Sequence, residues 1–481
     1  MKIVLINPAW TDTLGSFAQL GRERTYSPPL GLCYLAAALE KNGHTVEIID
    51  AEVERLCLKE VLLKVENIKP NIIGINIFSP TLHKSKEIAE KIKISLPHIP
   101  IVVGGAHVSI MKEQALLECY DYGIINEGEH TIVEFLKVIE GDKKPSEIRG
   151  LIYREKNKIV VNHVSEITQD INSLPFPAIH LLKKNLYQLK FVNGRKTIYT
   201  SIMAMRGCPF ECVFCSEPLI GGRKVRFRSP ENIADELESI NRQLGISHFT
   251  FVDSNITLNR NQVIGICDQI NKRKLSITWE GWTRANLIDE DLLKRMKESG
   301  FVRMSFGVES GDPEILKIIK KEVSLDSIKN AFRLCKKLKI EISCSAMLGL
   351  PGETRKSVNK TIEFIRNTPE ILYSNFSIAI PYPGTELFDM AQKGKHGLNL
   401  IENDYTKWAR YDNGPMSVND LTPHDLVRLQ KIGLLKIHLT PKRILASLKI
   451  IKPFTLFPIF IRLLFASLQD LKTFFNLSRK E

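Results

Sequence analysis

Cys208, Cys212 and Cys215 lie within eight residues of one another and are suited to bind iron. They form a C-x3-C-x2-C run that directly follows a strand-like segment, Thr197 to Ala204. Thiolates at such short spacing on a loop can bind one iron–sulfur cluster. A cubane cluster has four irons, so three ligands would leave one iron open to another molecule. The alternatives are three unrelated cysteines or a zinc site, but zinc sites usually have a second ligand pair downstream, which is missing here.

The cysteine run has Phe214 directly before its last member and resembles the signature of the radical S-adenosylmethionine (SAM) enzymes. The resemblance implies a 4Fe–4S cluster whose free iron holds the amino and carboxylate groups of SAM. An electron from this cluster then cleaves SAM into methionine and a 5′-deoxyadenosyl radical. The resemblance also implies that Phe214 lies near the adenine.

Strand-like and helical segments alternate twice along the chain, which predicts an α/β protein. Over residues 1–145, strands rich in Val and Ile predict a parallel, doubly wound, Rossmann-like sheet, whose ligands bind at the carboxyl ends of the strands. Residues 146–196 are predicted to form a connector that contains a hairpin. The alternation resumes over 197–390 in six units, which resemble the partial (β/α)6 TIM barrel of radical SAM enzymes. Residues 391–481 are predicted to be a helical region with a basic amphipathic tail.

The loops after the first set of strands contain Ser79 and the pair Gly104-Gly105. Together with the segments 7–10 and 126–129, they resemble the cobalamin-binding domain that often precedes a radical SAM barrel. The resemblance implies that Ser79, Gly104 and Gly105 house the nucleotide tail of cobalamin. The best-known form of that domain has a cobalt-binding His after the first strand, and residues 7–10 contain none. We therefore expect cobalamin without a protein imidazole on cobalt; a domain that only keeps the scaffold is the alternative.

Polar residues follow the predicted barrel strands at their C-terminal ends, where parallel barrels place their active residues. Asp253 matches a position that contacts the SAM amino group in related enzymes, although a helix-capping turn explains it equally well. Arg284 can hold the SAM carboxylate in a bidentate pair, or it can pair with Asp289.

Glu309 ends the fourth strand, and its carboxylate can accept hydrogen bonds from both ribose hydroxyls. An acid among apolar strand residues is rarely buried without a partner. Gly349 and Gly352 lie in a segment that resembles the G-x-I-x-G-x-x-E element of the family, which implies backbone packed against the adenine.

The cysteine content indicates a reducing compartment. Of the nine cysteines in 481 residues, those outside the run are scattered among apolar residues, as is typical of buried thiols. The chain begins directly with a strand-like segment and shows no signal peptide, so we expect it in the cytoplasm. The scattered cysteines are Cys33, Cys57, Cys119, Cys267, Cys335 and Cys344.

The C-terminal segment 441–475 mixes basic residues with Phe, Leu and Ile. It is too short and too interrupted to span a bilayer, which needs roughly twenty apolar residues. This composition predicts peripheral contact with anionic lipid at the inner face of the membrane. The alternative is a helix packed over the barrel mouth or in a dimer contact.

These features predict a cobalamin-dependent radical SAM enzyme that methylates or otherwise modifies an unactivated carbon. The tail favours a small hydrophobic substrate, such as a lipid or a tetrapyrrole, and the family implies an electron donor such as flavodoxin or ferredoxin. One alternative is a cyclase or oxidoreductase without methyl transfer, similar to the anaerobic magnesium-protoporphyrin ester cyclase. Another is a binding protein that senses corrinoids or redox state.

The net charge of +13 would also suit a tRNA methylthiotransferase. That family carries a second cysteine triad in its N-terminal domain and a small RNA-binding β-barrel at its C-terminus. Cys33, Cys57 and Cys119 do not follow strand ends in the required way, and the tail does not resemble a β-barrel. We therefore do not expect nucleic acid as a partner.

Overall fold

The computed structural model describes residues 1–10, 27–163, 167–190, 196–371, 373–408, 414–438, 440 and 443. These residues form two seven-stranded sheets, each covered by helices, in agreement with the predicted α/β class. The helices are Leu30–Lys41, Leu58–Ile68, Leu82–Ser95, Ala106–Met111, Glu129–Glu140, Glu217–Ile220, Pro230–Leu244, Arg260–Lys272, Glu290–Glu298, Pro313–Ile318, Leu325–Lys337, Arg355–Arg366, Glu386–Gln392 and Pro423–His438.

The first sheet has the strand order β2-β1-β3-β4-β5-β6-β7, and its first five strands are parallel. The side chains of β1 alternate between two cores: Val4 and Ile6 face one, whereas Ile3 and Leu5 face the other. Burial of both faces explains the unbroken apolar sequence. The strands are β1 (Lys2–Asn7), β2 (Thr45–Asp50), β3 (Ile72–Asn76), β4 (Ile101–Gly104), β5 (Tyr122–Ile124), β6 (Leu151–Glu155) and β7 (Lys158–Val161).

Strand order reverses between β1 and β3, because the chain first runs from β1 to β2 and then returns past β1 to β3. Ligands of doubly wound sheets bind outside the strand ends at such a reversal. The hairpin predicted in the connector is β6–β7, which adds two antiparallel strands to this sheet. The cores therefore continue past residue 145 into the hairpin.

The second sheet has the order β16-β15-β14-β13-β12-β9-β8. Six of its strands, β9 and β12 to β16, are parallel and confirm the predicted partial barrel. The seventh, β8, pairs antiparallel with β9. Edge-to-face contacts of Phe251 and Phe301 with Trp279 are part of its hydrophobic core. The strands are β8 (Gln188–Lys190), β9 (Lys196–Ile202), β12 (His248–Phe251), β13 (Thr278–Thr283), β14 (Phe301–Glu309), β15 (Glu341–Leu348) and β16 (Tyr373–Ile378), with the short pair β10 (Met205–Arg206) and β11 (Arg226–Phe227) beside them.

Local signals set the helix ends of the barrel. The helix Pro230–Leu244 begins after Ser229, whose hydroxyl accepts a hydrogen bond from the Asn232 amide, and it ends at Gly245 in the left-handed conformation. Thr354 caps the helix after β15, because its side-chain oxygen accepts a hydrogen bond from the Ser357 amide.

The C-terminal region contains a pair of short antiparallel strands that the sequence did not predict, β17 (Leu398–Leu400) and β18 (Met416–Val418). The helix Pro423–His438 then packs on β16. None of the described helices is both long and apolar enough to cross a bilayer. Apart from Arg443, the segment 441–475 predicted to contact lipid lies outside the described residues.

Candidate functional site: the cysteine loop and the strand ends around it

The cysteine run lies on a loop that the pairing of β10 with β11 closes at its base. Cys208 is buried, and Cys212 and Cys215 are half-buried. The Cys208 amide donates to the Gly222 carbonyl O at 3.0 Å, and the Cys215 amide donates to the Cys212 carbonyl O at 3.0 Å. These bonds fix the backbone of the loop at its first and last cysteine.

Two buried side chains donate hydrogen bonds to the sulfurs. The Asn255 amide lies 3.8 Å from Cys208 Sγ, and Arg284 Nη1 lies 3.5 Å from Cys212 Sγ. Burial, together with the nearby Cys212 and Cys208 thiolates, raises the pKa of Cys215 to about 11. A bound metal must therefore displace the thiol protons.

The three thiols fit a cubane cluster better than a single metal ion. Among the described residues, no group of three His, Cys, Asp or Glu side chains surrounds one ion position. A cubane does not need such convergence, because each cysteine binds a different iron. N–H donors directed at the sulfurs are a further common feature of such sites. The donor set therefore fits the cluster that the sequence predicts.

Arg284 directly follows β13, and its guanidinium stacks on the Phe210 ring, with Arg284 Cζ 3.8 Å from the ring centroid. Only 4% of Arg284 is exposed, yet its Nε and Nη2 atoms have no hydrogen-bond partner among the described residues. The alternative pairing with Asp289 is wrong, because Asp289 binds Arg260 at 2.6 Å. A buried guanidinium with two free donor atoms beside a cluster cysteine is suited to an anionic ligand.

Asp253 is fully engaged by the backbone that leads into the cysteine loop. Its carboxylate accepts hydrogen bonds from the amides of Ala204 and Met205, at 2.9 Å and 2.6 Å. Burial raises its pKa to about 7 despite these bonds. It caps no helix, so the helix-capping alternative is wrong; contact with SAM remains a prediction.

Glu309 ends β14 with a positive φ of 61°, where the register with β15 shifts. Its carboxylate pairs with Lys321 Nζ at 2.9 Å, and both side chains are buried. The partner that a buried acid requires is therefore Lys321. A ribose that contacts Glu309 would bind a carboxylate that is already paired with this lysine. A non-glycine residue in this conformation costs roughly 1–3 kcal/mol and is often found at functional sites.

Gly349 and Gly352 have φ values of +84° and +79°, which explains why both positions are glycine. A Cβ at Gly349 would lie 2.9 Å from Leu426 Cδ1, and one at Gly352 would lie 3.0 Å from Ile318 Cδ1. Close approach to the protein's own side chains thus accounts for both glycines, and packing against adenine remains a prediction. Phe214 is half-buried against the barrel core, and its place near adenine is likewise untested.

Glu353 closes the loop around these glycines by accepting hydrogen bonds from the Gly349 and Leu350 amides, at 2.7 Å and 3.1 Å. Complete burial raises its pKa to about 8. The folded protein thus keeps a proton that the unfolded chain releases above its ordinary pKa of 4.5. The raised pKa of Glu353 therefore stabilises the fold at low pH, and this contribution to stability falls as the pH rises from 4.5 to 8.

We therefore predict that E353Q flattens the pH dependence of stability, because glutamine mimics the protonated acid. Between pH 6 and pH 8.5 the wild-type protein should lose about 2 kcal/mol more stability than E353Q. Thermal unfolding midpoints at the two pH values measure this difference. The exposed Glu118 offers a control, since E118Q should behave as wild-type. Equal pH profiles of E353Q and wild-type would show that Glu353 is ionised in the fold.

Ser79 follows β3, and its hydroxyl shares a hydrogen bond of 3.0 Å with His107 Nδ1. His107 is buried, which lowers its pKa to about 4 and keeps the imidazole neutral. Gly105 has a φ of +102°, and a Cβ there would lie 2.9 Å from the Ile77 carbonyl O. A Cβ at Gly104 would meet nothing closer than the Ile124 carbonyl O, at 3.7 Å. The loops after β3 and β4 thus meet closely at Gly105, whereas a methyl group at Gly104 would make only an ordinary van der Waals contact.

The strand ends at the reversal are joined by a chain of polar side chains. The Asn7 amide donates to Asp50 Oδ1 at 3.0 Å, and the Asn76 amide donates to Asn7 Oδ1 at 3.3 Å. The Tyr187 hydroxyl donates to Asp50 Oδ2 at 2.6 Å. Asn7 occupies the strand end after which the best-known cobalamin domains place their histidine, and here it holds neighbouring strand ends together.

The two adjacent glycines give matched variants. G105A should destabilise the domain by about 2–4 kcal/mol, because a side chain at positive φ would collide with the backbone of Ile77. G104A should change stability by less than about 1 kcal/mol and should weaken cobalamin retention if the nucleotide tail approaches Gly104. Thermal unfolding and the absorbance of cobalamin that remains after desalting separate the two effects. Full cobalamin retention by a folded G104A variant would remove Gly104 from the site.

Two family models match this chain: residues 202–365 match the radical SAM superfamily, and residues 22–136 match the B12 binding domain. An uncharacterized methyltransferase of Pyrococcus horikoshii is 31% identical over 444 residues, which are 92% of this chain and 93% of that relative. This chain belongs to the cobalamin-binding radical SAM enzyme family. Its cofactors are therefore a 4Fe–4S cluster, SAM and cobalamin, as predicted, and the sensor alternative is wrong.

One further relative and one solved structure are similar to this radical SAM enzyme. It is 28% identical over 402 residues to the anaerobic magnesium-protoporphyrin IX monomethyl ester cyclase of Cereibacter sphaeroides, covering 81% of this chain and 63% of the cyclase. Its fold resembles that of TsrM from Kitasatospora setae, a radical SAM methyltransferase, with a TM-score of 0.70 at 19% identity over 92% of this chain and 91% of TsrM.

Sequence reasoning missed two groups of residues in this radical SAM enzyme. Phe210 lies inside the cysteine run, and only the fold shows that Arg284 stacks on it. The acids Glu127 and Glu129 follow β5, and only the fold shows that they pair with arginines beside the cysteine loop. The second group had a weak signal, because both acids follow a strand of the predicted ligand edge.

Proposed function

We propose that this enzyme transfers a methyl group to an unactivated carbon of a small hydrophobic substrate. In this proposal Cys208, Cys212 and Cys215 hold the cluster and Arg284 binds the carboxylate of SAM. Glu309 shares its carboxylate with the ribose, and Phe214, Gly349 and Gly352 line the adenine side. The remaining proposed contacts are those of Asp253 with SAM and of Ser79, Gly104 and Gly105 with the nucleotide tail of cobalamin.

The observation that carries the proposal is the guanidinium of Arg284. It is buried, lies against Cys212 Sγ and has two donor atoms without a partner among the described residues, so it is suited to bind an anion at the edge of the cysteine loop. A carboxylate that binds the open iron from one side would meet these donors. Asn255 and Arg284 meanwhile donate N–H groups to the sulfurs of Cys208 and Cys212.

The cobalamin domain also contacts the region of the cysteine loop. Ile110 in its helix Ala106–Met111 and Leu219 beside the cysteine loop both lie 3.2 Å from the Cβ position of Gly384, which follows the last barrel strand. The loops of both sheets therefore meet beside the cluster. When bound, the cluster and SAM supply the radical that removes hydrogen from carbon, and cobalamin supplies the methyl group.

The hydrophobic substrate class rests on the composition of 441–475 and on the similarity to a cyclase whose name specifies a tetrapyrrole ester. The electron donor in this proposal is a flavodoxin or a ferredoxin. Cyclisation without methyl transfer is the second candidate, because the cyclase is 28% identical over most of this chain.

Anaerobic reconstitution with iron, sulfide and hydroxocobalamin tests the proposal. After reduction, 5′-deoxyadenosine and S-adenosylhomocysteine are measured with a tetrapyrrole ester, with a polyprenol, and with tryptophan as a polar control. Methylation requires both products together with a gain of one methyl group by either apolar substrate. Deoxyadenosine alone with a converted substrate would favour cyclisation, and methylation of tryptophan alone would overturn the hydrophobic class.

A further inference from the structure

Four charged side chains form a buried cluster between the cobalamin domain and the base of the cysteine loop. Arg226 binds Glu127 through two hydrogen bonds, of 2.7 Å and 2.9 Å. Arg206 binds Glu129 and also lies 3.3 Å from Glu127. No more than 12% of any of these side chains is exposed. We call these four residues the charge quartet.

The charge quartet is electrically balanced, with two arginines from the barrel side and two glutamates from the cobalamin domain. Buried ion pairs interact strongly because water screens them poorly. Removal of one member leaves a buried charge that its neighbours cannot compensate. The field of the quartet at nearby groups therefore depends on both domains being in place.

Direct contacts connect the quartet to the cysteine loop. Arg206 lies two residues before Cys208, and Arg226 Nη2 donates to the Gly221 carbonyl O at 3.0 Å. The next residue, Gly222, accepts the hydrogen bond of the Cys208 amide. Gly207 is packed so tightly here that a Cβ would lie 2.8 Å from the Gly222 carbonyl O. The quartet thus borders the backbone that presents Cys208.

We propose that the charge quartet sets the reduction potential of the cluster held by the cysteine loop, so that docking of the cobalamin domain adjusts the electron-accepting step. Net charge near an iron–sulfur cluster is a main determinant of its potential. One electron from a low-potential flavin or iron–sulfur donor, or from dithionite in the assay, makes the cluster more negative by one charge. An unbalanced arginine stabilises that reduced form and an unbalanced glutamate destabilises it. The inference rests on the proposed cluster ligands.

Charge variants of the reconstituted full-length enzyme test the proposal through a redox titration without SAM, followed by electron paramagnetic resonance. E127Q leaves an excess positive charge and should raise the ratio of reduced to oxidised cluster at a fixed potential about tenfold, which is a shift of about 59 mV for one electron. R226Q leaves an excess negative charge and should shift the potential in the opposite direction. A purely structural disturbance would not be expected to shift the reduction potential in opposite directions in the two variants.

The double variant E127Q/R226Q restores the balance and should return the potential close to the wild-type value. E134Q is the matched control, because Glu134 carries the same charge in the same domain but is 38% exposed and pairs with surface lysines. It should leave the potential unchanged. Shifts of one sign in both single variants, or none in either, would overturn the proposal. Failure of wild-type enzyme to bind a cluster would instead overturn the proposed function.

Discussion

Cys208→Ala should abolish both cluster binding and the cleavage of SAM. The variant loses one of the three thiolates, and the cluster then has too few protein ligands to stay bound. Iron content should fall from roughly four atoms per chain to near zero, and 5′-deoxyadenosine should fall below detection. Iron and sulfide analysis with anaerobic product assays measures both quantities. Cys212→Ala and Cys215→Ala should give the same result.

The control for this experiment is Cys57→Ala. Cys57 is exposed and lies at the start of the helix Leu58–Ile68 of the cobalamin domain, so its loss should leave iron content and product formation unchanged. A Cys208→Ala variant that keeps full iron and still forms 5′-deoxyadenosine would contradict the cluster assignment. It would also remove the physical basis of the radical reaction.

Arg284→Gln should weaken SAM binding about 10–100-fold, because a charge-assisted hydrogen bond to a carboxylate contributes roughly 1.5–3 kcal/mol. Binding is measured on the cluster-loaded enzyme by the change in its electron paramagnetic resonance spectrum as SAM is added. Arg284→Lys should recover only part of the affinity, since an ammonium keeps the charge but loses the paired geometry.

The matched control is Arg260→Gln, which removes an equal charge elsewhere in the barrel. Arg260 is exposed and pairs with Asp289 and Asp291, so SAM affinity should not change. Unaltered SAM affinity in Arg284→Gln, with iron content intact, would assign the buried guanidinium to the support of Phe210 and Cys212 instead.

Local sequence was sufficient to predict those features that residues close together in the chain determine. The spacing of Cys208, Cys212 and Cys215 predicted their common loop, and a local cap at Thr354 begins the helix after β15. Apolar runs gave both sheets and the order of strand and helix, because the periodicity of buried side chains is set within one element. The candidate site residues were predicted from strand ends, and the structure places them at or after the carboxyl ends of the parallel strands.

Residue partners were less predictable from the sequence. Asp253 binds two backbone amides, and Glu309 pairs with Lys321. Gly105 lies so close to Ile77 that a side chain would collide with it. Each of these facts depends on which groups from another element fill the neighbouring space. No local pattern specifies that space.

The sequence by itself determined the fold class, the cysteine run and the family chemistry of this enzyme. Only the tertiary structure decided that two Arg284 donors beside Cys212 have no partner among the residues that the structure describes, and that Glu127 binds Arg226 across ninety-nine positions of sequence. The reason is physical: a motif records spacing along the backbone, whereas hydrogen bonds, burial and charge balance depend on distances that the packing of separate elements creates.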